Sequence, residues 1–205
     1  MVRARDAGRA LAALAEGRVI AAPGDGGYLL VARHDPGAAL GDPGPVPASP
    51  PLMVVGHRTQ AQEMASDWSK SAKSLTDRMW PGPLTVMVSA PVRPDGDAVV
   101  HITMPATRPL RSLCREAGPF VARPLRRPDG VAVLDPEEIG VWVTADDVAL
   151  IVDGGVCRGP GPTVVDCTVS PPVVRHVGAL PESFVEGSLM MGSRRRRWFS
   201  GRSGS

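Results

Sequence analysis

The chain has 205 residues, enough for one domain with a sizeable core and too few for a second independent one. Its 23 glycines and 22 prolines exceed a fifth of the residues, so loops and turns are expected to be abundant and long helices scarce. The formal charge of +2 hides an asymmetry: setting aside Arg194, Arg195, Arg196, Arg197 and Arg202 leaves 18 basic against 21 acidic residues, so the body is not globally basic.

No run of roughly 18 apolar residues is present. Met1-Val2-Arg3-Ala4-Arg5-Asp6 leads into an amphipathic stretch and not into a signal-peptide core, so a soluble, cytoplasmic protein without a membrane partner is expected. Cys114, Cys157 and Cys167 are an odd set without paired metal spacing, which favours buried reduced thiols over a zinc knuckle or a disulfide framework. His34, His57, His101 and His176 are scattered, and none has a second ligand at helical spacing.

Along the chain, residues 6–16 place Ala7, Ala10, Leu11 and Leu14 on one helical face, with Gly17 as a stop. Val19-Ile20-Ala21-Ala22 is a short strand that ends at the glycine-rich turn Pro23-Gly24-Asp25-Gly26-Gly27, and Tyr28-Leu29-Leu30-Val31-Ala32 is the next. Proline and glycine recur from 35 to 51 too often for helix or paired strand. Leu52-Met53-Val54-Val55 restores a strand pattern, and 59–68 and 71–79 have the spacing of two short helices. Residues 84–88 and 99–103 read as antiparallel strands around a turn at 91–97. A helix over 107–117, strands at 120–122, 149–152, 163–167 and 173–177, and one helical turn at 137–141 complete the pattern of an α/β (α+β) domain. Beyond Pro181 the apolar pattern fades into Gly, Ser, Met and Arg, which predicts a domain over 1–180 and a flexible tail over 181–205. The four consecutive arginines, followed by Trp198 and Phe199, could touch RNA phosphates through counterion release, although a solubilising tail is the reading that composition favours.

Two ordered strings carry more than composition: Trp80-Pro81-Gly82-Pro83-Leu84-Thr85-Val86 and Gly161-Pro162-Thr163-Val164-Val165-Asp166. Both resemble the YrdC-like family of threonylcarbamoyl-AMP synthases, and the resemblance covers about residues 8–180. It implies a single YrdC-like domain, a twisted mixed sheet with short flanking helices around a concave ligand cleft. It also implies an enzyme lineage that joins ATP, bicarbonate and threonine for tRNA modification, with ATP and Mg as the co-substrate. The family's Pro-Thr-Asp-Thr-x-Tyr-Gly-Leu segment, part of its threonine pocket, is matched here by Pro23-Gly24-Asp25-Gly26-Gly27-Tyr28-Leu29-Leu30. Pro23, Asp25 and Tyr28 are therefore the substrate-binding candidates. Both threonines have become glycine, and each lost hydrogen bond costs about 0.5–1.5 kcal/mol. Thr163 and Asp166 match the family's Ser-Thr-Val-Val-Asp segment and are candidates for the nucleotide.

Other family motifs are missing. The Lys-x-Arg pair that holds phosphate and carbamate falls on Gly44 and Val46, and no Lys or Arg occurs from 35 to 51. The arginine of the family's Val-Arg-Val-Pro strand is Thr103, and its Ser-Ala-Asn-x-Ser-Gly segment falls on Pro124-Leu125-Arg126-Arg127-Pro128-Asp129. Phosphoryl and nucleotidyl transfer depend on positioned cations, so these losses argue against an efficient synthase. Arg123, Arg126 and Arg127 could rebuild a phosphate or RNA contact in another geometry, or form only a solvated basic loop. Three readings stay open: a synthase with weakened or lost catalysis, a non-catalytic nucleotide- or RNA-binding regulatory paralogue, and a structural remnant without a ligand. Fold inheritance does not choose among them.

Overall fold

The computed structural model describes residues 2–4, 7–34, 52–91 and 99–199, without the side chains of 2–4 and 191–199. The glycine- and proline-rich stretch 35–51, with the Gly44 and Val46 positions, lies outside the described residues, as does the turn after Pro91.

Among the described residues, ten strands form one mixed sheet: β1 (Val2–Ala4), β2 (Ile20–Pro23), β3 (Tyr28–Arg33), β4 (Leu52–Val54), β5 (Leu84–Ser89), β6 (Val99–Thr103), β7 (Phe120–Pro124), β8 (Leu150–Val152), β9 (Thr163–Asp166) and β10 (Val173–His176). Their spatial order is β1-β8-β2-β3-β7-β4-β6-β5-β9-β10. The helices are α1 (Ala7–Ala15), α2 (Arg58–Met64), α3 (Lys70–Met79), α4 (Arg108–Ala117), α5 (Ile139–Trp142), which continues a 3-10 turn at Pro136–Glu138, and α6 (Glu182–Phe199). The α/β class and the antiparallel pairing of β5 with β6 are as the sequence pattern predicts.

The sheet's period of two sorts its side chains between two layers. Val31, Val54, Phe120 and Ala122 face α1 and α4, where they meet Leu14, Leu110 and Leu113. Their chain neighbours Met53, Val55 and Val121 point the other way, with Val86 and Ile102, toward α2, α3 and α6. On that same side, Leu30 and Tyr28 pack with Leu125, Val133 and Ile139 from the segment that follows β7.

The Trp80-Pro81-Gly82-Pro83 string is a structural corner. Trp80 is buried, its indole Nε1 donates to the Leu84 carbonyl at 2.8 Å, and its ring tilts against Trp68 with centroids 6.1 Å apart. The Gly82 amide donates to the Met104 carbonyl at 3.0 Å, which joins the corner to the end of β6.

The segment after Pro181 differs from the expected flexible tail. It forms α6, which buries Val185 and Ser188 and packs Leu189 against the α3 layer. Glu, Gly and Ser dilute its apolar positions, so the sequence pattern is weak, and docking on α3 supplies the stability that propensity does not. Burying Val185 alone is worth about 1.5–3 kcal/mol. The sequence pattern does not disclose β1 either, because three residues ahead of a helix carry no periodicity of their own.

The β2–β3 hairpin has the largest consequence for function. Its turn, 24–27, touches Ala106 beyond β6 and Gly161 ahead of β9, although those strands stand four and six places from β2 in the sheet order. The sheet therefore twists enough to bring the ends of distant strands to one corner.

Candidate functional site

A cavity of about 290 Å³ opens at that corner. One wall is the end of β2 and the hairpin turn, with Pro23, Gly24 and Asp25; a second is the start of α4, with Thr107 and Pro109. The third is the loop after β8, with Gly154, Val156, Cys157 and Arg158.

Local sequence explains each wall. The Gly24 amide bonds to the Gly27 carbonyl at 2.9 Å, closing a turn that pairs Pro23 with Tyr28. Thr107 is the N-cap of α4, and Pro109 stands in its first turn, where a missing amide hydrogen costs nothing. The Thr107 hydroxyl does not cap its own helix; it donates to the Pro23 carbonyl at 3.0 Å and so joins the first two walls.

Asp25 makes the same junction through its carboxylate. Oδ1 accepts from the Ala106 amide at 2.9 Å, at the positive end of α4. Burial pushes the Asp25 carboxyl above its ordinary 3.8, and the amides of Ala106 and Thr107, with the Arg111 charge, draw it back in part. Arg111 itself donates to the carbonyls of Pro105 at 3.0 Å and Ala106 at 2.9 Å. Beside Asp25, burial raises the Cys157 thiol, the Gly24 amide lowers it and the Asp25 charge raises it further.

The sequence candidates separate. Pro23 and Asp25 line the cavity, while Tyr28 is fully buried behind it, with its hydroxyl on the main chain of Gly154 and Gly155. Thr163 is fully buried, and its hydroxyl donates to the Leu180 carbonyl at 2.8 Å and accepts from the amides of Gly178 at 2.9 Å and Leu180 at 3.0 Å. Asp166 lies at the far end of β9, paired with Arg175 at 2.6 Å and accepting from Thr168. Burial pushes its carboxyl up, but the hydrogen bonds from Thr168 and Arg175 prevail and hold it below 3.8.

The basic residues do not converge. Arg126 donates to the Gly130 carbonyl at 2.8 Å, and Arg127 pairs with Glu138 at 2.6 Å within the loop that follows β7. Arg58 donates to the carbonyls of Thr76 at 3.1 Å and Trp80 at 3.0 Å, capping the end of α3. Arg123 lies on β7 opposite Leu30. Among the described residues that line the cavity, Arg158 alone is basic. The sequence pattern does not single out Thr107, Pro109, Cys157 and Arg158 as one site. The helix-start signature at Thr107 and the Asp-Gly-Gly turn are both visible in it, but nothing in one chain says that these loops meet. No group of three or more His, Cys, Asp or Glu among the described residues is placed to hold a metal ion, and no described helix is long and apolar enough to cross a membrane.

The family Sua5_yciO_yrdC, described as telomere recombination, matches residues 12–177, which is most of the chain and all three walls. The chain belongs to this family. The YrdC-like chain is 28% identical over 152 residues to the threonylcarbamoyl-AMP synthase of Pyrococcus abyssi, covering 68% of this chain and 43% of that protein. It is 29% identical over 153 residues to the threonylcarbamoyl-AMP synthase of Bacillus subtilis, covering 70% and 44%. Against the crystal structure of P. abyssi Sua5 complexed with L-threonine the TM-score is 0.76 at 26% identity, over 91% of this chain and 59% of that one. The YrdC-like chain thus spans less than half the length of the curated relatives it matches.

Proposed function

We propose that this YrdC-like chain binds a small amino-acid ligand, of the L-threonine class, in the cavity between Pro23, Thr107 and Gly154, and that it turns over ATP, bicarbonate and threonine slowly or not at all. The cavity's place supports the first half: it is walled by the Pro23-Gly24-Asp25 segment that matches the family's threonine pocket, and a solved relative is complexed with L-threonine. Asp25 offers a carboxylate to an ammonium group and Arg158 a guanidinium to a carboxylate.

The single observation that carries the second half is the scarcity of cations. Joining the parts of threonylcarbamoyl-AMP moves negative charge on phosphates, and positioned cations lower that barrier. Arg158 is the one basic residue among the described lining, and Arg58, Arg126 and Arg127 are bonded elsewhere. ATP with Mg belongs to this reading as a co-substrate only where turnover is retained. RNA contact through Arg126, Arg127 and Arg194 to Arg197, and a cytoplasmic location, are carried as part of the same lineage.

The experiment is a paired one. Purified protein is titrated with L-threonine by calorimetry, then incubated with ATP, Mg, labelled bicarbonate and L-threonine beside an intact family enzyme. The expected result is a binding isotherm without labelled threonylcarbamoyl-AMP. Product at the rate of the intact enzyme would overturn the loss of catalysis, and a flat isotherm would overturn the ligand class.

A further inference from the structure

Tyr28 is the chain's single tyrosine and is fully buried, outside the residues that line the cavity. Its hydroxyl donates to the Gly155 carbonyl at 2.9 Å and accepts from the Gly154 amide at 3.2 Å. Those two glycines open the third wall of the cavity. Tyr28 is also the register partner of Pro23, which opens the first wall. One hairpin therefore supplies one wall through its turn and grips the opposite wall through this phenol.

The grip has little slack. A Cβ on Gly154 would lie 2.5 Å from Cγ of Pro23, so the two walls already touch at their base. The Gly155 amide donates to Oδ1 of Asp153 at 3.0 Å, which fixes the turn on its other side. From these contacts we infer that Tyr28 is a positioning residue for the cavity: its hydroxyl sets the spacing between the Pro23 and Gly154 walls, and ligand affinity depends on a group that the ligand does not touch. The inference rests on the reading of the cavity as a ligand site, whereas the bond itself is testable without a ligand.

Tyr28→Phe keeps the buried ring and removes the hydroxyl, leaving two main-chain groups without that partner. In the full chain, amide hydrogen exchange at Gly154, whose N–H the phenol accepts, is expected to quicken at least several-fold in this variant, while α4 and β5 stay as in the wild type. Unchanged exchange at Gly154 overturns the inference whatever the ligand. In the wild type labelled with 3-fluorotyrosine, one fluorine resonance reports Tyr28. Titration with L-threonine is expected to shift it along the calorimetric isotherm, and Tyr28→Phe to weaken that isotherm several-fold. An isotherm identical in both proteins, with an unmoved resonance, overturns the inference. A flat wild-type isotherm sinks the ligand class proposed above and leaves exchange to decide the role of Tyr28. Should Tyr28→Phe not fold, fluorine-labelled Gly154→Ala displaces the same wall from Pro23; a resonance at the wild-type position there overturns the inference too.

Discussion

Gly26 and Gly161 meet backbone against backbone: a Cβ on Gly26 would lie 2.2 Å from Cα and 2.7 Å from the amide nitrogen of Gly161. A third glycine completes the seam, since a Cβ on Gly178 would fall 2.5 Å from the Gly161 carbonyl oxygen. The hairpin turn of one half of the sheet thus rests on the entry to β9 in the other half, and no side chain separates them. The sequence resemblance places a threonine of the family at position 26, so here the main chain of Gly161 occupies the space where that side chain would begin.

The seam predicts the cost of refilling it. Gly26→Ala must displace main chain and not the tip of a flexible side chain, and overpacking of that kind costs about 1–3 kcal/mol, occasionally more. Gly140, in α5, has open space within 4 Å of where a Cβ would stand and an ordinary φ, so Gly140→Ala is expected to be neutral or slightly stabilising. Thermal unfolding of the two variants checks this: Gly26→Ala should lose about 2–4 °C for each kcal/mol, and Gly140→Ala none.

Asp25 gives a pH prediction whose sign follows from its raised pKa. Between the unfolded value, near the ordinary 3.8, and the higher folded value, the folded protein holds the proton more tightly, so ionising Asp25 removes stability as pH rises through that window. Asp25→Asn keeps an oxygen acceptor for the Ala106 amide and lacks the half-buried charge. At neutral pH the variant should be at least as stable as the wild type in urea, and the gap should close as pH falls below 3.8. A variant less stable at neutral pH than in acid, relative to wild type, would show that the charge is needed at α4.

These two residues mark the limit of what the sequence discloses. Elements with strong local signals were legible: α1 through the spacing of Ala10 and Leu14, α4 through Leu110, Leu113 and Cys114, and β5 and β6 through their β-branched runs. Asp25 was recognisable through the matched Pro23 to Leu30 segment. Its bond to Ala106, 81 residues away, was not, because it depends on a twist summed over several strands. Tyr28 and Thr163 stand out in the sequence through their motifs, but a motif match cannot say whether a hydroxyl faces a ligand or the main chain. Helix α6 was hidden for the opposite reason, since its stability comes from α3 and not from its own composition.

Thr163 separates the two roles by experiment. Its hydroxyl meets three main-chain groups, in Gly178 and Leu180, and thereby ties β9 to the chain that leads into α6. Thr163→Val keeps the shape and leaves those groups without their partner, at about 1–3 kcal/mol. Urea unfolding should report that loss, while calorimetric affinity for L-threonine stays at the wild-type value. A weakened L-threonine isotherm with unchanged stability would instead place the Thr163 hydroxyl at the ligand.

The cysteines should differ in reactivity, because the thiolate is the attacking species. Burial pushes Cys167 up to about 12 and Cys114 higher still, and both are closed off from solvent. Cys157 is also raised, but it lines the cavity, where a reagent can reach it. Native protein at mildly alkaline pH is expected to release one equivalent of thionitrobenzoate slowly from Ellman's reagent, and three after denaturation. Cys157→Ser should abolish the native signal, and saturating L-threonine should slow it. Slowing in the wild type by L-threonine but not by an equal concentration of glycerol would tie the protection to occupancy of the cavity; equal rates with and without L-threonine would separate the thiol from the ligand site.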